Sequence, residues 1–148
     1  MSKNHLLVAF LFSFCFTLNV SADYIDGQKA YANGDYGVAI LEWTQVAEDG
    51  NARAQYNLGW MHANGKGTAQ DFKEAIKWYT ESAQQGNVNA QYNLANLYLR
   101  GQGADKNDKL AFSWFIKAAE QGDAPAQYNL GRMYILGKGD DKNFLEAR

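Results

Sequence analysis

The stretch that decides the fold is Asn51–Gly86, NARAQYNLGWMHANGKGTAQDFKEAIKWYTESAQQG. It returns, altered but legible, as Asn87–Gly122 and begins a third time at Asp123. AQYNL stands at Ala54–Leu58, Ala90–Leu94 and Ala126–Leu130, and GxG at Gly65/Gly67, Gly101/Gly103 and Gly137/Gly139. A period of roughly 36 residues is the mark of stacked helical units, none of which can bury its apolar face alone.

Each unit reads as two helices. In the first, Ala54, Gln55, Leu58, Gly59, Met61 and His62 share one arc at 100° per residue, the stripe expected to face inward. Gly65 or Asn64 is expected to end it through a left-handed residue. The second opens at Asp71, with Glu74 three residues on in the arrangement of a capping box. Asn107 and Asn143 hold the same place in the later copies and are good N-caps. Ala75, Ile76, Trp78, Tyr79 and Ala83 form its apolar side, and Gly86 stops it, as Gly50 and Gly122 stop theirs. No stretch alternates with period two, so no sheet is expected.

Outward from the repeats, Asp23–Gly50 reads as a worn first copy. Ala39, Ile40, Trp43, Ala47 and Gly50 register with Ala75, Ile76, Tyr79, Ala83 and Gly86, but Asn33-Gly34-Asp35 replaces the GxG loop. Terminal repeats are often atypical because one side has no neighbour, so this segment is read as an N-terminal capping hairpin. At the other end Ala147 registers with Ala75 and Ala111, so Arg148 falls before the tryptophan position of a last helix. That leaves two readings open: a sequence cut short, or a face covered by a partner or by self-association.

The first 22 residues differ in kind. Lys3 and His5 precede the apolar run Leu6–Leu18, and Val20-Ser21-Ala22 has the small residues a signal peptidase accepts. The run is shorter than the ~20 apolar residues a spanning helix needs, which favours cleavage after Ala22 over an uncleaved anchor. The expected destination is the periplasm or the exterior, with no membrane attachment after cleavage. Cys15, the only cysteine, lies inside this segment, so the mature chain must hold together by packing alone. The net charge is −2, or −3 once Lys3 is removed, which supplies no basic footprint for nucleic acid.

The pattern A-x-x-x-L-G-x-x-(Y)-x-x-G-x-G-x-x-x-D-x-x-x-A-x-x-W-Y-x-x-(A)-A-x-x-G resembles the Sel1-like repeat, a relative of the tetratricopeptide repeat, over Asn51–Arg148. His62 stands where a tyrosine is usual, Ala95 where a glycine is usual, and Thr68, Ala104 and Asp140 where a valine is usual. The resemblance implies an all-α, right-handed solenoid of stacked antiparallel helix pairs; with the leader and the capping hairpin the chain divides as 1–22, 23–50, 51–86, 87–122 and 123–148, the last repeat incomplete. It also implies an adaptor that binds a protein or peptide and needs no cofactor. Some secreted relatives are associated with peptidoglycan or β-lactam chemistry, but those are rich in paired cysteines. A cell-wall binding protein or hydrolase is therefore the alternative reading.

Catalytic chemistry finds few residues. His62 is the only histidine after Ala22, and a lone histidine on an apolar stripe is more often a satisfied core residue than a base. Without cysteine, and with Ser82 and Ser113 inside helical periods, no nucleophile–base–orienter set assembles. One histidine cannot make a zinc site, and Asp105/Asp108 and Asp140-Asp141 read as solvated loops. The GxG loops follow a helix rather than a strand, which suits a helix connection and not a phosphate cradle.

The binding signal lies opposite the buried stripe, on the face of the first helices that lines the groove of a stacked array. Arg53, Tyr56 and Trp60, then Tyr92, Asn96 and Arg100, then Tyr128 and Arg132 are the candidates. Tyr56, Tyr92 and Tyr128 repeat unchanged and are expected to pack between adjacent first helices. Trp60, Asn96 and Arg132 differ at one repeated position, as residues meeting different parts of a ligand would. Tryptophan, tyrosine and arginine are also the residues that most often dominate interfaces. The bland alternative is that Trp60 merely covers the capping hairpin.

Overall fold

The computed structural model of the chain describes residues 24–139. These form seven helices and, among the described residues, no strand: α1 (24–33), α2 (Tyr36–Glu48), α3 (Ala52–Asn64), α4 (Phe72–Gln84), α5 (Val88–Arg100), α6 (Asp108–Glu120) and α7 (Ala124–Ile135). None is long and apolar enough to cross a membrane.

Short polar side chains start the helices. Asn51 accepts from the amides of Arg53 and Ala54 at 3.0 Å, Asn87 from Ala90 at 3.0 Å, and Asp123 from Ala126 at 2.8 Å. Asp71 and Asn107 do the same for α4 and α6. Each satisfies amides that the first helical turn leaves without an internal partner. The reciprocal half of the expected capping box does not form: Glu74 turns to Lys77 at 2.8 Å, while the Asp71 amide donates to the His62 carbonyl at 2.9 Å. The turn from α3 back to α4 consumes that amide, so Glu74 is released to the surface.

Consecutive helices pack pairwise along the chain, α2 on α3 through α6 on α7. In addition α3 touches α5, whereas no contact of comparable extent joins α2 to α4 or α4 to α6. α3 and α5 therefore stand closer together than α2 and α4 or α4 and α6, which curves this part of the array and puts α3 and α5 on its inner side. Two adjoining cores result. One gathers Trp43, Val46, Leu58, Met61 and Trp78 between the capping hairpin and the first repeat. The other gathers Tyr79, Leu94, Phe115 and Met133 across the later repeats.

The glutamine of AQYNL stitches the repeats together. Gln55 donates to the Ala47 carbonyl at 3.0 Å, Gln91 to Ala83 at 3.1 Å and Gln127 to Ala119 at 3.2 Å. Each acceptor lies in the last turn of the preceding second helix, where carbonyls lack helical partners. Gln55 and Gln91 accept in turn from Gln85 at 2.7 Å and Gln121 at 2.9 Å. Burial of these amides is thus matched by hydrogen bonds on both sides of the junction.

The second glycine of the GxG loop sits where the chain crosses the preceding repeat. Gly103 has φ +79°, and a Cβ there would lie 2.5 Å from the backbone carbonyl of Phe72. Gly67 stands in the same relation to Tyr36, at 2.7 Å. The GxG motif is a packing device between repeats, which accounts for its recurrence.

Some expectations from the sequence need correction. Of the inward stripe of α3, Ala54, Gln55, Leu58, Gly59 and Met61 are buried, but His62 is only half-buried and its Nδ1 has no hydrogen-bond partner among the described residues. It is not a satisfied core histidine, because it lies at the edge where α3 gives way to the loop. On α4, Ile76 is half-buried and Ser82 takes an inward place, donating to the Ala52 carbonyl at 2.6 Å. The expected leader 1–22, Asp140-Asp141, Asn143 and the face expected at the last helix lie outside the described residues.

Candidate binding groove

The first helices leave hollows between them on the inner side. Between α1 and α3 lies a cavity of about 350 Å³ lined by Tyr24, Gln28, Tyr31, Trp43, Tyr56, Asn57, Trp60 and Met61. Between α3 and α5 lies a second, also about 350 Å³, whose walls include Tyr56, Trp60, Phe72, Tyr79, Asn93, Leu97, Arg100 and Gln102. Both are large enough for ligand side chains. Tyr56 and Trp60 belong to both, so they form the ridge that separates the two. A third, smaller hollow of about 120 Å³ between α5 and α7 is lined by Leu99, Asn129, Arg132, Met133, Leu136 and Lys138.

The ridge is held rigid from behind. The Trp60 ring meets Tyr31 edge-on at 6.1 Å, and Tyr31 meets Trp43 at 5.7 Å, whose Nε1 donates to the Tyr24 carbonyl at 3.2 Å. Such aromatic contacts fix ring orientation beyond simple burial. Trp60 therefore both covers the capping hairpin and faces the cavities. The Tyr56 ring lies 5.9 Å from Tyr79, and Asn93 Nδ2 donates to the Tyr79 hydroxyl at 3.2 Å. Burial pushes the Tyr56 phenol above its usual range, offset in part by the Asn93 amide, and pushes the Tyr79 phenol higher still. Both are neutral hydrogen-bonding groups at physiological pH.

The sequence candidates divide accordingly. Tyr56, Trp60 and Arg100 are brought together. Tyr92 packs on Phe115 at 5.8 Å, so Tyr56 and Tyr92 each lie against the second helix of their own repeat, and Tyr56 also stands between neighbouring first helices, as the sequence led us to expect. Asn96 folds back, its Nδ2 donating to the Tyr92 carbonyl at 3.0 Å. Arg132 lines the third hollow, over the Tyr128 ring at 5.9 Å, and Tyr128 is 67% exposed. Arg53 is exposed near the start of α3 and lines none of these three hollows. Sequence reasoning missed Tyr24, Tyr31 and Gln28 of the capping hairpin, together with Phe72 and Gln102. No group of three or more metal-ligating side chains occurs among the described residues.

A stacked array of helix pairs with this loop and cap chemistry defines a helical-repeat scaffold. The Sel1 repeat model matches residues 52–87, 88–123 and 124–148, and the chain belongs to the Sel1-repeat family. Proteins of this family are in general scaffolds for protein interaction. Among solved structures, a Sel1 repeat protein from Oxalobacter formigenes superposes with a TM-score of 0.76 at 33% identity, over 84% of this chain and 51% of that one. The protective antigen c5321 of uropathogenic Escherichia coli, with an SLR fold, gives a TM-score of 0.78 at 34% identity, over 84% of this chain and 27% of the other. The chain thus spans about half of the first relative and about a quarter of the second. Cysteine-rich protein B of Helicobacter pylori shares the fold, with a TM-score of 0.66 at 20% identity over 80% of this chain and 93% of that one. A search of curated proteins finds no match.

Proposed function

We propose that the protein is an exported scaffold, periplasmic or secreted, that binds a protein segment along the inner face of α1, α3 and α5. The observation that carries this reading is the pair of adjoining hollows divided by Tyr56 and Trp60. Its walls are preformed aromatic side chains locked by their neighbours, so little ordering is lost when a partner docks. The reading involves no catalysis: the groove offers phenols, amides, indoles and one guanidinium, and no base beside a nucleophile. Export rests on the N-terminal sequence, and amino-terminal sequencing of the protein from the periplasm or medium should begin at Asp23. Recovery only from the cytoplasm with Met1 retained would contradict export.

The groove is tested with Trp60→Asn combined with Arg100→Ala. Asparagine is what the next repeat carries at this position (Asn96), so the helix tolerates it. A partner co-purified with the protein should bind the double variant at least about tenfold more weakly, since central aromatic and arginine anchors dominate such surfaces. Circular dichroism should remain helical. Unchanged affinity would move the site elsewhere.

A further inference from the structure

Carboxylates are sorted away from the first helices of the repeats. The inner helices α3, α5 and α7 carry Arg53, Arg100 and Arg132 and no carboxylate, although the chain as a whole is net negative. The outer helices hold the carboxylates: Glu42 and Glu48 on α2 with no base, Glu74 and Glu81 on α4 balanced by Lys73 and Lys77, and Asp108 and Glu120 on α6 balanced by Lys109 and Lys117. On α1, Asp26 and Lys29 neutralise each other at 2.7 Å. Among the described residues Arg100 has no carboxylate within ion-pair distance, and no acid lines its hollow. Among the described residues the next hollow along, with Arg132 and Lys138, has none either. By contrast the cavity between α1 and α3 has no charged side chain among the described residues and is walled mainly by aromatic rings.

We infer that the occupant of the groove is an acidic peptide segment in which an apolar or aromatic residue precedes or follows a carboxylate by three positions. The inference rests on the groove reading above and specifies its ligand. The apolar side chain enters the aromatic cavity between α1 and α3, and the carboxylate crosses the Trp60 ridge to Arg100. Neighbouring packed helices lie roughly 8–10 Å apart. A polyproline II segment, with three residues per turn and about 3.1 Å rise, presents residues i and i+3 on one face about 9 Å apart. On that pitch, an apolar side chain in the first hollow places a carboxylate three positions away at the second. A strictly extended strand would turn residue i+3 away from the groove. A second acid three positions beyond the first falls at the Arg132 hollow.

The test is selection of random twelve-residue peptides displayed on phage against the purified protein, Arg100→Gln and Trp60→Asn, in parallel. Peptides selected by the wild-type protein should be enriched in Asp or Glu three positions from an apolar or aromatic residue. A synthetic copy should bind about tenfold more weakly when its Glu becomes Gln, the loss expected for a charge-assisted hydrogen bond. With Arg100→Gln the Glu and Gln peptides should bind alike, and raising salt from 0.1 to about 1 M should narrow the wild-type difference. Selected peptides without acidic preference, yet dependent on Trp60, would overturn the charge inference and leave the groove reading standing. Acidic preference that persists in Arg100→Gln would also overturn it. If no peptide were selected in a Trp60-dependent way, both would fall.

Discussion

Replacement of Gly103 by alanine isolates what the GxG loop does. Two separable penalties apply. At φ +79° an alanine sits in the left-handed region, which costs roughly 1–2 kcal/mol. Its Cβ would also lie 2.5 Å from the Phe72 carbonyl, and backbone there cannot swing aside as a flexible side chain would. Forcing extra volume into a packed junction adds about 1–3 kcal/mol. Gly86→Ala is the control, because its φ of +90° imposes comparable strain while a Cβ there meets nothing within 4 Å. Urea denaturation followed by circular dichroism should therefore show a loss of about 1–2 kcal/mol for Gly86→Ala and about 2–5 kcal/mol for Gly103→Ala. In melting temperature the first is roughly 4–8 °C and the second roughly 8–20 °C, at about 4 °C per kcal/mol for a domain of this size. Equal losses in the two variants would refute the close approach of the loop to the preceding repeat.

Gln91 is 3% exposed, and Gln91→Leu strands the Ala83 carbonyl at the end of α4; a loss of about 1–3 kcal/mol is expected in the same urea assay, as for other orphaned buried groups. A change under about 0.5 kcal/mol would show that the glutamine does not stitch the junction. The raised phenols of Tyr56 and Tyr79 make the fold sensitive to alkali. Below the unfolded value near 10 both states keep the proton, so stability is whole. Above it the unfolded chain loses protons first, and each tyrosine removes up to roughly 1.4 kcal/mol per pH unit until its folded value is passed. Tyr79→Phe, which copies Phe115 of the next repeat, should flatten the decline measured by urea melts between pH 9.5 and 11.5; an unchanged slope would contradict the burial of that hydroxyl.

The repeat made most of the architecture legible. A 36-residue recurrence with fixed glycines, caps and apolar stripe leaves few ways to stack, and the placing of Leu58, Met61, Trp78 and Tyr79 followed from helical period alone. What the period could not show was where polar side chains turn once backbone partners are nearby. Gln55 and Gln91 were visible on the inward arc, but the carbonyls they reach belong to a different helix, eight residues back through a turn. Asn96 looked like a ligand contact by its variability, yet its amide finds a carbonyl one turn below on its own helix. Glu74 had the spacing of a capping box and lost the amide to the loop. In the groove, Tyr56, Trp60 and Arg100 were found from the outward arc of α3 and α5. Tyr24 and Tyr31 were not, because the worn capping hairpin carries no AQYNL to mark its inner face. The placing of arginines, and of no carboxylate, on α3, α5 and α7 was written in the sequence throughout. It carries meaning only when each helix is assigned to its layer.

The most direct test of the groove is a backbone amide chemical-shift map of the protein titrated with a peptide selected on it. The account requires the largest shifts on α1, α3 and α5 around Tyr31, Tyr56, Trp60 and Arg100, with the indole resonance of Trp60 among them. Shifts confined to the outer helices, around Leu41, Lys77 or Ser113, would contradict it.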